Sequence, residues 1–121
     1  MSNLILIIDD DSRNIFALRL VLKARGYAVI AATNVPEGLR LLQDSPQVKV
    51  ILMDMMMPEM DGYAAITLFR EQAGFGDIPI IAVTAQAMSG DREKCLAAGA
   101  SGYVSKPVDI DKLVAVIEKV C

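Results

Sequence analysis

Three carboxylates stand in a row where an apolar run ends: Ile7-Ile8-Asp9-Asp10-Asp11. Two such charges about 4 Å apart repel by on the order of 4 kcal/mol at an effective dielectric of roughly 20. The crowding is tolerable if a cation sits among them, or if the three have different duties. Asp54 in ILMDMMMPEMDG, Thr84 in IIAVTAQA and Lys106 in YVSKPVD also follow short apolar runs. Clustered carboxylates attract a divalent cation. An oxygen-only donor set with room for water and phosphate favours Mg²⁺ (or Mn²⁺ in its place) over Ca²⁺ or Zn²⁺. A lysine ammonium and a threonine hydroxyl suit the remaining oxygens of a phosphoryl group. A carboxylate can itself attack phosphorus to give an acyl phosphate. That reaction asks mainly for positioning and charge neutralisation.

These residues can meet only if the chain brings them to one place. Short aliphatic or β-branched runs occur at Leu4–Ile8, Tyr27–Ala31, Val48–Met53, Pro79–Val83 and Ser101–Val104. Runs this short and apolar on both faces suit the strands of a buried parallel sheet. The segments between them carry helical spacing: Ile15, Leu18 and Leu22; Val35, Leu39 and Leu42; Leu113, Val116, Ile117 and Val120. Asn34 stands three residues before Glu37, a capping-box spacing. Asp11, Asp61, Ser89 and Asp109 are placed to cap helix starts. Gly26, Gly74 and Gly99 stand where helices should stop. The strict alternation predicts an α/β fold of five βα units, with a doubly wound parallel sheet covered by helices on both faces. Ligands of such sheets bind outside the carboxyl ends of the strands, which is where the acids, the hydroxyl and the ammonium fall.

The rest of the composition narrows the function. The 121 residues, 54% of them apolar, suit one domain with a sizeable core. No apolar run approaches the roughly 20 residues of a membrane-spanning helix. The start MSNLILIIDD has no basic region or cleavage site of a signal peptide, so a cytoplasmic location is expected. The net charge is −3 with scattered basic residues, which gives no nucleic-acid footprint. Cys95 and Cys121 read as free thiols. The chain has no histidine, which excludes a Ser-His-Asp triad, imidazole metal ligation and a phosphorylatable histidine of its own.

With those motifs in view, the sequence closely resembles the receiver domain of two-component response regulators, CheY-like in type and close in flavour to receivers of hybrid histidine kinases. The match runs from Leu4 to about Val120. It rests on Asp9-Asp10, the segment around Asp54, Thr84-Ala85 and Lys106-Pro107, with Thr84 and Lys106 lying 30 and 52 residues beyond Asp54. The resemblance implies a flavodoxin-like sheet of order 2-1-3-4-5 in a single receiver domain over residues 1–121, with no output domain. It implies a signalling module that catalyses only its own phosphorylation and dephosphorylation.

The roles follow position by position. Asp54 would be the phosphoacceptor. Mg²⁺ would be held by Asp10 and Asp54 directly, by Asp9 partly through water, and by the backbone carbonyl of Met56. Lys106 would contact a phosphoryl oxygen and pair with Asp54 beforehand, aimed by a cis Lys106–Pro107 bond. Thr84 would move onto the phosphoryl group and Tyr103 would turn inward as it does. Met56 and Gln86 flank the site and would tune the lifetime of the acyl phosphate. The donor would be a phosphohistidine on a sensor kinase or phosphotransfer protein. The output would be a protein contact through the fourth helix, fifth strand and fifth helix. The stretch AQAMSGDREKCLAAGASGYVSKPVD resembles hybrid-kinase receivers, whereas the Met1-Ser2-Asn3 start favours a free-standing protein.

Three other readings remain. A flavodoxin-type phosphate loop shares the fold logic, but the acidic loop after the first strand would repel phosphate without a metal. A degenerate scaffold receiver lacks an essential residue, and none is missing here. A small Mg²⁺-dependent phosphatase of the haloacid-dehalogenase type would use Asp9 of the D-x-D pair Asp9/Asp11 as nucleophile. That type wants Thr or Val where Arg13 stands, and a longer chain.

Overall fold

The aliphatic runs become strands and the amphipathic segments helices in a computed structural model, which describes residues 3–57, 61–72, 76–85 and 90–121. The order is β1 (Leu4–Ile8), α1 (Ser12–Ala24), β2 (Ala28–Ala32), α2 (Val35–Asp44), β3 (Val50–Asp54), α3 (Gly62–Glu71), β4 (Ile80–Thr84), α4 (Asp91–Ala98), β5 (Gly102–Ser105) and α5 (Ile110–Val120). The strands form one parallel sheet in the order β2-β1-β3-β4-β5. This is the doubly wound arrangement that the alternation of segments predicts.

Side chains alternate across the sheet and build two cores. Leu6, Ile8, Ile51, Met53 and Ile80 pack on one face with Leu42, Ile66 and Phe69 from α2 and α3. Ile5, Ile7, Val50, Leu52 and Ile81 face the other way, against Ile15 and Leu22 of α1 and Leu113 and Ile117 of α5. Burying each large aliphatic or aromatic side chain contributes about 1.5–3 kcal/mol. The central strands are therefore apolar on both faces.

Four of the expected strands begin and end later than their apolar runs suggest. Tyr27 does not open β2. Its N–H bonds to the Leu22 carbonyl while the Gly26 N–H bonds to Lys23, closing α1 in a Schellman turn with Gly26 at φ +91°. At the other end the ladder runs one residue past the apolar run. Asp54 pairs with Val83 and Thr84 with Ser105, and the Met55 and Lys106 N–H groups still bond across to Val83 and Thr84. Asp54 and Thr84 are thus the last residues of rigid strands rather than the first residues of loops.

The caps mostly follow the sequence. Asp11, Asn34, Asp61 and Asp109 accept first-turn N–H groups of α1, α2, α3 and α5. Glu37 reaches back to the Thr33 N–H, one residue before the cap. Gly99 ends α4 at φ +116°. Ser89 and Gly74 lie outside the described residues. The N-cap of α4 is Gly90, at φ +90° with no side-chain cap. At the sheet edge far from the acids, the Arg70 guanidinium donates to the carbonyls of Gly99 and Ile78 and to Ser101 Oγ. It thereby ties α3 to the chain just ahead of β4 and β5.

The entry to α3 comes very close to β3. A Cβ on Gly62 would stand 2.8 Å from Met55 Cα and 2.6 Å from Met55 Sδ. Because one of those atoms is backbone, the helix itself would have to move. Gly62→Ala is expected to cost about 1–3 kcal/mol as overpacking, read as a lower urea midpoint at unchanged slope.

Candidate functional site

Parallel pairing puts the ends of β1, β3 and β4 side by side, and their terminal polar residues with them. One carboxylate oxygen from each of Asp9, Asp10 and Asp54 lies within 4.8 Å of the others. Asp9 and Asp54 are each only 4% exposed, while Asp10 faces solvent. Lys106, just past β5, reaches across with its Nζ 3.4 Å from Asp54 Oδ1. The Lys106–Pro107 peptide bond is cis. Thr84, 2% exposed, directs its hydroxyl to Met56 Sδ at 3.8 Å.

Backbone donors fix the acids in place. The Asp11 N–H bonds to Asp9 Oδ1 at 2.8 Å and the Met56 N–H to Asp54 Oδ1 at 2.9 Å. Burial pushes the Asp9 carboxyl above its ordinary value. The Asp11 N–H opposes that shift and the neighbouring Asp54 charge adds to it. Asp11 belongs to the helix: its Oδ1 takes the Arg13 N–H at 2.9 Å, which holds its carboxyl below the usual range. The opening run of acids therefore divides, with two facing the cluster and one capping α1. A phosphatase built on the D-x-D pair would need Asp11 at the site, and here it is turned to the helix.

The methionines after Asp54 also divide. Met57 is buried in the core, Met55 is half-buried, and Met56 is 45% exposed beside the acids. Gln86 lies outside the described residues. Tyr103 packs against the α2–α3 side of the core, and its hydroxyl donates to Asp91 Oδ2 at 3.1 Å. Asp91 and its second donor, Tyr63, are the residues that sequence reasoning missed. An acid after Ser-Gly reads as an ordinary helix start, and nothing in its local spacing marks it as buried.

Three oxygen donors, two of them buried and like-charged with one ammonium among them, suit a small hard dication. The donor set contains no sulfur or imidazole that would favour zinc or copper. A cavity of about 360 Å³ opens beside the cluster, lined by Asp54, Lys106, Leu18, Val21, Val108 and Ile110. Fold and site together are those of a doubly wound α/β module with an acidic cleft at the carboxyl edge of its sheet.

The response regulator receiver domain family matches residues 5–118, and the chain belongs to that family. It is 32% identical to the polar-differentiation response regulator DivK of Brucella anthropi, over 98% of this chain and 95% of DivK. It is 34% identical to a stretch of the sensor histidine kinase CheAY of Helicobacter pylori, over 96% of this chain and 15% of the kinase. Among solved structures, chemotaxis protein CheY4 of Vibrio cholerae superposes with TM-score 0.90 at 26% identity, each chain covered completely. The receiver domain of sensor histidine kinase PA1611 of Pseudomonas aeruginosa superposes with TM-score 0.85 at 33% identity, covering 98% of this chain and 97% of that one. That structure carries a magnesium ion coordinated in its active-site cleft. Among the described residues no helix is long and apolar enough to cross a membrane.

The raised Asp9 carboxyl sets a direction for pH. Folded Asp9 holds its proton more tightly than an unfolded aspartate, so ionising it costs stability as pH rises through the raised value. Cation binding needs the ionised form and offsets that cost. Mg²⁺ at a hundred times its Kd should add about 2.7 kcal/mol near neutral pH, falling away as the solution is acidified through that same range. Asp9→Asn should lose most of this gain while the metal-free protein becomes no less stable. Thermal melts across pH, with and without Mg²⁺, check both.

Proposed function

We propose that Asp54 accepts a phosphoryl group from a phosphohistidine on a partner kinase or phosphotransfer protein. The observation that carries this is the placement of a buried strand-end carboxylate, its Oδ1 3.4 Å from Lys106 Nζ and within the acidic cluster. A carboxylate oxygen of Asp54 attacks phosphorus, the phosphorus–nitrogen bond to the imidazole breaks, and the imidazole leaves with the electron pair. Asp9, Asp10, Asp54 and the Met56 carbonyl are the groups that would hold Mg²⁺. The ion would supply the charge neutralisation that lets an anionic donor approach the acids. Lys106 gives up its pairing with Asp54 for a phosphoryl oxygen, and the Thr84 hydroxyl exchanges the Met56 sulfur for another.

The change at Thr84 is passed to Tyr103 and biases a small equilibrium between two arrangements of α4, β5 and α5. A groove beside Tyr103, Val104, Lys112 and Val116 lies on that surface and would meet a downstream protein. Such a module works in the cytoplasm, where kinases of this type present their phosphohistidine. Met56, exposed beside Asp54, and Gln86 set how readily water reaches the acyl phosphate.

The deciding experiment is incubation with acetyl phosphate followed by intact-mass analysis. The protein should gain one phosphoryl group only when Mg²⁺ is present, and Asp54→Asn should gain none. No gain under conditions that label another receiver would overturn the proposal. Met56→Glu should change the rate at which the label is lost by several-fold, and an unchanged rate would remove Met56 from lifetime control.

A further inference from the structure

Helix α4 is attached to the body of the protein unlike its neighbours. It is eight residues long and buries only Asp91 and Cys95. One of its two buried groups is thus a carboxylate, in the first turn of a helix whose N-cap glycine offers no side-chain cap. Helices α2, α3 and α5 each bury at least one large apolar side chain against the sheet. What seats the N-terminal end of α4 is polar. Asp91 Oδ1 accepts the Tyr63 hydroxyl from α3 and Asp91 Oδ2 accepts the Tyr103 hydroxyl from β5. A buried carboxylate held by one phenol on each oxygen is close to satisfied. Losing either donor leaves an oxygen in need of a new partner.

The surroundings reinforce the arrangement. Lys94 Nζ sits 4.6 Å from the centroid of the Tyr63 ring, on the face of α4 one turn along. The bond to Asp91 is the leading reason the Tyr63 phenol resists ionisation; for Tyr103 burial leads and its own bond to Asp91 adds to it. The other end of α4 is held from the same helix, since Arg70 of α3 donates to the Gly99 carbonyl. Helix α3 thus holds both ends of α4, and Tyr103 shares the pin at one of them.

We infer that Asp91 is a positioning residue that, with Tyr63, holds Tyr103 and the N-terminal end of α4 in the unphosphorylated arrangement. The inference concerns the resting protein and draws on the proposed function only for its consequence. When Tyr103 follows Thr84, it must leave Asp91 Oδ2 or carry α4 along. The pairing with Tyr63 opposes the second, because it holds Asp91, and with it the N-terminal end of α4, against α3. Tyr63 and Asp91 therefore set how much phosphorylation is needed to move the output surface.

The test uses the whole chain carrying fluorotyrosine, read by fluorine NMR. The three tyrosines give three signals, assigned by single Tyr→Phe changes; Tyr27, beside Lys49, is the control. Without metal or phosphodonor, Asp91→Asn should displace the Tyr63 and Tyr103 signals and leave Tyr27 in place, with Asp91→Glu returning them towards wild type. Tyr63→Phe, which keeps the ring and the carboxylate, should displace Tyr103. With Mg²⁺ and sub-saturating acetyl phosphate, the Tyr103 signal should convert to its phosphorylated position several-fold further in Tyr63→Phe than in wild type. A Tyr103 signal unmoved by either substitution in the resting protein overturns the inference, as does conversion that is unchanged or smaller. The resting-state readings need no phosphorylation, so a failure of Asp54 to accept a phosphoryl group leaves them decisive.

Discussion

The structure depends on like charges forced together at one edge of a sheet. Parallel pairing fixes the ends of β1 and β3 side by side, with Asp54 closing β3 and Asp9 following β1 directly. The apolar strands behind them leave no route of retreat, because a one-residue slip would turn every core side chain to the wrong face. The hydrophobic cores on both sides therefore pin Asp9 and Asp54 where electrostatics alone would separate them. Two backbone N–H groups and one lysine offset part of the cost. The remainder makes the site responsive to added charge, as the proposed phosphoryl acceptance at Asp54 would require.

Much of this was legible in the residues. The alternation of short apolar runs with helical stripes fixes the number and order of elements, and side-chain caps such as Asn34 and Asp109 stand where their spacing places them. The acids, Thr84 and Lys106 converge because all follow strands, and strand ends meet in a parallel sheet. Boundaries were less legible. Tyr27 has the side chain of a strand residue and the backbone bond of a helix terminus, and tertiary context decides between them. Likewise, Asp54 and Thr84 are polar and look like loop residues, yet ladder hydrogen bonds ignore side-chain polarity and extend the strands to include them.

What could not be read were contacts whose partners lie far apart in sequence and carry no pattern. Asp91 meets one phenol 28 residues earlier and another 12 residues later. Nothing periodic links the three. The apolar stripe that announces a core-facing helix is correspondingly faint along α4, whose segment DREKCLAA has cysteine, leucine and alanine clustered late. A helix that docks by hydrogen bonds leaves little trace in hydropathy, and such a helix is also the one most easily re-seated.

Arg70 gives that re-seating a geometry. Its guanidinium gathers the chain ahead of β4 and β5 at the edge of the sheet opposite the acids. One end of α4 is thereby tied at the Gly99 carbonyl to Arg70, which is itself anchored on the Ile78 carbonyl and Ser101 Oγ, while among the described residues the other end is pinned by the Asp91 carboxylate. A rod fastened so unequally would swing about its Gly99 end rather than slide once the Asp91 pairing is released. The travel would then be largest at the Asp91 end and least at the base of β5, where Arg70 holds Ser101.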